Sequence, residues 1–345
     1  MMRALAVEAN ARAALAGRGA LAPRFGVPLL GFCLLSALLV SWQPLWLSIA
    51  TVFVFAGPHN WMEFRYFLAR MPARWGRSRS FFAVGLGGTL LLTASYVALY
   101  WLGQAWYLSE AAWAAGVSLW GTALLAWACA LVWLRGRQRA AARGDYQLVL
   151  AAGSALAALA WLAPQWFFLA LVYAHPLVAL WFLDRQLKRT RPRWRRTYHL
   201  CLAALPLLLL LMWGRLAAAP DLPETDALSW RITRHAGASL LPGVSTHLLV
   251  ATHVFLETIH YGAWLVLIPL AGLRAGLFET RRIPLAVHRR GGWPRSVRAA
   301  LLFGAFAVVA LWACFWADYP TTRDLYFTVA MGHVLAEVPF LLRLL

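Results

Sequence analysis

The chain has 345 residues, of which 62% are hydrophobic and only 13% are charged, and its mean hydropathy is +0.63. Soluble globular domains are about 45–50% apolar and about 25% charged, so this composition excludes an ordinary water-soluble protein. Lys and Arg outnumber Asp and Glu by 32 to 13, which gives a formal net charge of +19. In a soluble chain such a charge would indicate a nucleic-acid partner, but the hydropathy indicates an integral membrane protein.

Apolar stretches that are long enough to cross a bilayer, which takes about 20 residues, recur along the chain. In chain order the sequence predicts ten transmembrane helices, at residues 27–43, 45–68, 81–104, 110–134, 146–163, 165–183, 199–214, 245–271, 298–317 and 323–342. Pro44 and Pro164 separate the closest pairs, because proline interrupts a helix. The predicted fold is an all-α transmembrane bundle of residues 25–345, a single polytopic domain preceded by a tail of residues 1–24.

The positions of the basic residues predict the orientation. If the N-terminus is cytoplasmic, the inner segments hold 28 Lys and Arg and the outer segments hold four. This split follows the positive-inside rule, so we expect both termini and the tail to be cytoplasmic, and a loop of about residues 215–244 to lie outside. The net positive charge is then explained by contact with anionic lipid headgroups, above all along the Arg-rich stretch 185–196, and no nucleic-acid partner is needed to explain it.

Ionisable residues inside a bilayer are costly, so their pattern is informative. Three predicted spans share the motif His-x-x-x-Glu, at His59 and Glu63, His253 and Glu257, and His333 and Glu337. A four-residue step places the two side chains on one helix face, one turn apart. His260 follows His253 by seven residues and returns to nearly the same face, and His175 is a further histidine within a span.

Clustered imidazoles in an apolar setting predict a metal site, because imidazole binds iron, copper, zinc and nickel. We expect His59, His253, His260 and His333 to hold the metal, with His175 as a substitute or fifth ligand. Each ligating imidazole needs an acceptor for its second nitrogen, a role that suits Glu63, Glu257 and Glu337. Mononuclear non-haem Fe(II) is the favoured occupant, and direct Glu ligation would instead indicate a two-metal site. His235, in the outer loop, and His247, which points away from the His253 face, are not included.

The segment GPHNWME at residues 57–63 resembles the G-x-P-H-x-x-x-Asp signature of the Brp/Blh family of membrane-embedded β-carotene dioxygenases. The resemblance implies a helical membrane protein in which four histidines hold an iron that cleaves the central double bond of β-carotene with O₂. The resemblance implies a metal-ligating role for His59 through the shared motif. It implies the same role for His253 and His260 by analogy, because proteins of the family have closely spaced histidines in a helix late in their sequences. The chain departs from the pattern at Glu63, where the family has Asp, and in the spacing of its late segment HVFLETIH.

The sequence therefore predicts an O₂-dependent oxygenase of the bacterial inner membrane that acts on an apolar substrate such as a carotenoid or another isoprenoid. Its expected partners are the bilayer, this substrate and O₂. The alternatives are a transporter of metal ions or protons, a metal-site assembly factor, and a structural subunit of a larger membrane complex. The outer halves of the second and sixth spans hold no acidic, basic or histidine side chain, and the tenth span has such residues only at its outer end, Arg323 and Asp324, which disfavours a polar path across the membrane.

Overall fold

The computed structural model describes residues 22–105, 108–138, 146–272, 279–288 and 292–344, and in these ranges the regular secondary structure is helical, with no strand. Most of the predicted tail, residues 1–21, lies outside them. The helices, in chain order, are α1 (Pro23–Trp42), α2 (Pro44–Arg70), α3 (Arg79–Ala105), α4 (Glu110–Arg137), α5 (Tyr146–Leu162), α6 (Pro164–Thr190), α7 (Pro192–Leu216), α8 (Ala227–His235), α9 (Thr246–Gly262), α10 (Ile268–Gly272), α11 (Pro284–Val287), α12 (Pro294–Ala317) and α13 (Tyr319–Leu344).

Each of the ten predicted spans falls on a helix or helical segment, and eight of these segments are long and apolar enough to cross a membrane. Of the remaining two, α5 has only 17 residues. The other, α2, is long enough but carries polar and charged residues in its second half, among them His59, Asn60 and Glu63. The all-helical membrane architecture is confirmed, whereas the number of ten spans and the orientation stay predictions.

Proline sets several helix starts. Five long helices, α1, α2, α6, α7 and α12, have proline as their first residue. The first residue of a helix needs no intrahelical N–H bond, and the fixed φ of proline suits that position. The chain therefore breaks before Pro44 and before Pro164, where the sequence predicted the spans to separate.

The chain forms two compact units, and their boundaries fall within α2 and α6. The first unit contains Met1–Thr51 and Pro176–Arg274. Within it α1 packs against α7 and α9, and α9 also contacts α7 and α8. After His260, α9 continues through a π-helical turn, Ala263–Leu267, into α10. Asp221 accepts hydrogen bonds from the backbone N–H and the hydroxyl of Thr246, at 2.7 and 3.1 Å, and thereby caps the start of α9.

The second unit contains Val52–His175 and Ala275–Leu345. Within it α3 packs against α4 and α13, α4 packs against α5, and α12 packs against α13. Tryptophans tie neighbouring helices together: Trp61 of α2 donates a 2.9 Å hydrogen bond to the Leu301 carbonyl of α12, and Trp127 of α4 donates one of 2.8 Å to the Val84 carbonyl of α3. Val52, Ala56, Phe315 and Tyr326 form a buried apolar cluster that brings α2, α12 and α13 together.

Large apolar side chains cover much of the outward-facing helix surface. On α12, Phe303 is 72% exposed, Phe306 68% and Trp316 86%. Soluble proteins rarely expose contiguous apolar surface of this kind, whereas a bilayer solvates it. Together with the eight apolar helices, this surface identifies a multi-pass membrane protein.

Candidate metal centre

The second unit brings five of the predicted site residues together from three helices. His59 and Glu63 lie one turn apart on α2, His333 and Glu337 lie one turn apart on α13, and His175 lies on α6. His59 and Glu63 are 1% exposed and Glu337 is 2% exposed. Within this unit, two His-x-x-x-Glu motifs and the histidine of α6 thus form one group, in which His175 and His333 are partly buried.

The candidate ligand atoms lie close enough together to share one ion. One nitrogen each of His59 and His333 and a carboxylate oxygen of Glu63 lie within 4.8 Å of one another. The Nε2 atoms of His175 and His333 are 3.2 Å apart, and the centroids of these two rings are 5.0 Å apart. The His59 and His333 rings stand edge to face with their centroids 5.3 Å apart. The group could therefore hold a metal ion.

Polar contacts orient two of the imidazoles, one through a hydrogen bond and one through an electrostatic contact. The Nδ1 atom of His59 lies 2.9 Å from the backbone carbonyl of Phe55. A carbonyl only accepts, so Nδ1 carries the proton and Nε2 keeps a lone pair for a metal. The Nδ1 atom of His175 lies 3.1 Å from Oε2 of Glu337, an electrostatic contact between α6 and α13. Glu337 thus lies against an imidazole of a different helix.

Glu63 provides the clearest test of whether the residues fit a metal ion. Both of its carboxylate oxygens are buried and have no hydrogen-bond partner in the described part of the chain. An unpaired buried carboxylate is strongly disfavoured, and a cation would compensate it. Two nitrogens bound to one ion at about 2.1 Å lie roughly 3.0–3.4 Å apart, which matches the 3.2 Å between His175 and His333. The residues therefore fit a divalent transition-metal ion.

The other predicted ligands lie on α9 in the first unit. His253, Glu257 and His260 are all buried there, and the Nδ1 atom of His253 lies 3.8 Å from Oε2 of Glu257. The ring of His235, at the end of α8, stands edge-on to that of His253 with the centroids 5.0 Å apart. That His253 and His260 share a site with His59 stays a prediction.

Two contacts, one in each unit, were not expected from the sequence. The amide of Asn60 donates a 3.2 Å hydrogen bond to the hydroxyl of Tyr326, which links α2 to α13 beside His59. The second is the pairing of His235 with His253. A polar residue next to His59 could have suggested the first contact. The second depends on how α8 folds back onto α9, and no spacing in the sequence reports that.

No family model, curated protein or solved structure matches this chain. The fold and the site alone therefore define its class, which is a multi-pass helical membrane protein with a buried His/Glu group that could hold a metal ion.

Proposed function

We propose that this protein is a membrane-embedded non-haem iron oxygenase that oxidises or cleaves an apolar, lipid-soluble substrate such as a carotenoid or another isoprenoid. The observation that carries the proposal is the buried group of His59, His175, His333 and Glu63, set among apolar membrane-spanning helices. The resemblance of residues 57–63 to the Brp/Blh signature supports the substrate class.

The donor set is compatible with iron. Imidazole and carboxylate ligands suit non-haem Fe(II) as they suit Zn²⁺, and iron is proposed because cleavage by O₂ requires a redox-active ion. When bound by such ligands, Fe(II) would supply redox chemistry with O₂.

The residues of the chain have distinct parts in this proposal. His59, His175 and His333 would hold the ion through imidazole nitrogens, Glu63 would ligate it and offset its charge, and Glu337 would orient His175. The surrounding apolar helices exclude bulk water and dissolve the substrate. In a dioxygenase cleavage the carbon–carbon double bond breaks and each carbon receives one oxygen atom of O₂, so no external reductant is consumed.

The proposal is tested by incubating detergent-purified, Fe(II)-loaded protein with β-carotene and other polyenes in the presence of O₂. Chromatography should show carbonyl products that form only with O₂. Turnover in the His333→Ala and Glu63→Ala variants should fall at least about a hundredfold, because each removes a proposed ligand. His247→Ala is the matched control, since His247 donates instead to the Ser41 carbonyl at 2.9 Å.

The opposite outcome would be loaded protein that converts no polyene while the same protein carries metal ions into liposomes. That result would replace the oxygenase with the transporter alternative.

A further inference from the structure

Arg323 is a buried cation near the start of α13. It is the fifth residue of that helix and is only 4% exposed. Its guanidinium lies over the ring of Phe327, one turn further along, with 4.6 Å between Cζ and the ring centroid. The Nε atom of Arg323 is buried without a hydrogen-bond partner in the described part of the chain. The aromatic ring attracts the cation but carries no net charge that would neutralise it.

The nearby carboxylates do not neutralise Arg323 either. Asp318 is exposed and accepts a 3.2 Å hydrogen bond from the backbone N–H of Thr321, which caps the start of α13. Asp324 is the next residue, so its side chain projects about 100° away around the helix. Among the described residues no carboxylate forms an ion pair with Arg323. Since arginine keeps its proton in proteins, the buried charge calls for an anion from outside the chain.

Arg234 of α8 has the same aromatic contact without the burial. Its Cζ lies 4.6 Å from the centroid of the Trp230 ring, again one turn away, but its side chain is exposed. Water therefore solvates the charge of Arg234. Arg323 makes its contact in a place that water hardly reaches, so its charge requires a different compensation.

Aromatic side chains lead from Arg323 toward the candidate metal centre within the second unit. The centroids of the Phe327 and Tyr326 rings are 5.4 Å apart, and the Tyr326 hydroxyl accepts a 3.2 Å hydrogen bond from the amide of Asn60. His333 lies ten residues beyond Arg323 on α13, which corresponds to about 15 Å along the helix axis. This arrangement suits an elongated apolar molecule that has an acidic group at one end.

We infer that Arg323 binds the acidic group, a carboxylate or a phosphate, of an amphipathic ligand whose apolar chain extends from Phe327 toward the candidate metal centre. Arginine forms paired hydrogen bonds with either acidic group, which suits it to this recognition. The binding itself does not depend on the oxygenase activity. That the ligand is the substrate rests on the proposed function, and it narrows the substrate class to polyenes or isoprenoids with an acidic end.

The test is a fluorescence titration of metal-stripped, detergent-purified protein with parinaric acid, a conjugated polyene carboxylic acid, and with its uncharged methyl ester. The wild type should bind the acid at least about tenfold more tightly, because the ester loses the charge-assisted hydrogen bonds. Arg323→Gln should bind acid and ester equally, and Arg323→Lys should keep part of the preference. Arg234→Gln is the matched control and should bind as the wild type does. Size-exclusion chromatography and circular dichroism establish that each variant is folded.

A wild type that binds acid and ester equally, or an Arg323→Gln variant that keeps the preference for the acid, would overturn the inference. Farnesyl phosphate and phosphatidylglycerol, added as competitors, identify the source of the acidic group. A substrate site should release parinaric acid to farnesyl phosphate alone, whereas displacement by phosphatidylglycerol would assign the site to a bilayer lipid and overturn the substrate role. Metal-stripped protein that prefers the acid, while the iron-loaded protein converts no polyene, would refute the oxygenase alone.

Discussion

Glu337 and Glu63 occupy equivalent positions in the sequence motif but have different surroundings. Glu337 lies against the Nδ1 atom of His175, whereas both oxygens of Glu63 are buried without a hydrogen-bond partner in the described ranges. The first arrangement orients an imidazole, and the second suits a carboxylate that binds an ion directly. The two residues should therefore respond differently to the loss of their charge.

Replacing Glu337 by Gln should weaken metal binding by about tenfold to a hundredfold without abolishing it, because the ligands stay in place while His175 loses its charged acceptor. The dissociation constant can be measured by chelator competition. Glu63→Gln, at the matched position on α2, should cost more, since it removes a ligand. Equal effects of the two substitutions would contradict the separate roles.

Asp221, which binds the start of α9, should make the stability of the folded protein depend on pH. The hydrogen bonds from the Thr246 backbone N–H and hydroxyl lower the pKa of its carboxyl group. A lowered pKa in the folded state means that the carboxylate stabilises the fold above the unfolded pKa of about 3.9, and that this contribution is lost as the pH falls through the lower folded value. The melting temperature of the wild type should therefore drop further between pH 6 and pH 3 than that of Asp221→Asn.

Glu110→Gln is the control for this measurement, because Glu110 lies exposed at the start of α4. It should change the melting temperature less than Asp221→Asn does, because it leaves the two hydrogen bonds at the start of α9 in place. An Asp221→Asn variant with the same acid sensitivity as the wild type would show that this cap contributes nothing.

The His-x-x-x-Glu motif predicts the arrangement of side chains within one helix but not the contacts between helices. The four-residue spacing places His59 with Glu63 and His333 with Glu337 on shared faces, which follows from helix geometry alone. That Glu337 meets His175 depends on which helices are neighbours and on their rotation. These properties come from packing between remote segments, so one sequence does not report them.

At the scale of the elements, close helix packing depends on small residues. A Cβ atom at Gly88 of α3 would overlap the Trp127 indole of α4, whose nitrogen donates to the Val84 carbonyl. At Gly87, the preceding residue, a Cβ atom would meet nothing within 4 Å. The two glycines therefore form a matched pair for testing this contact.

Gly88→Ala should destabilise the protein by about 1–3 kcal/mol, because the indole must shift and strain its hydrogen bond. Gly87→Ala should be neutral or slightly stabilising, since alanine favours the helix and has open space. Thermal unfolding in detergent, followed by circular dichroism, measures both. Equal melting temperatures for the two variants would contradict the packing of α3 against α4.

The helices themselves were largely predictable. Long apolar runs and the prolines at positions 44 and 164 mark where the helices lie and where they break. Helix α2 is less apolar than the other long helices because it contains His59, Asn60 and Glu63. Two of these residues, His59 and Glu63, belong to the candidate metal centre. The π-helical turn Ala263–Leu267 was not predictable, because nothing in its residues AWLVL differs from an ordinary helix.

At the scale of the whole molecule, the sequence does not reveal that residues 22–51 pack with residues 176–272 as one unit. Such interleaving rests on contacts between segments more than a hundred residues apart. The apolar exterior, in contrast, follows directly from composition.

The predicted topology can be tested on either side of α7. Arg191 and Thr225 are both exposed and flank this helix. In a background without the four native cysteines, Thr225→Cys should react with a membrane-impermeant thiol reagent in intact cells, whereas Arg191→Cys should react only after permeabilisation. The reverse pattern would invert the orientation, and equal labelling in intact cells would mean that α7 does not separate two compartments.

The central claim is that His59 and His333 hold a metal ion in the second unit, and the most direct test is metal content per chain. Detergent-purified wild type, His59→Ala, His333→Ala and the control His247→Ala are washed with a weak chelator and analysed by elemental mass spectrometry. The account predicts about one iron per chain in the wild type and the control, and its loss in both site variants. A wild type without bound metal, or a metal content that neither site variant changes, would contradict it.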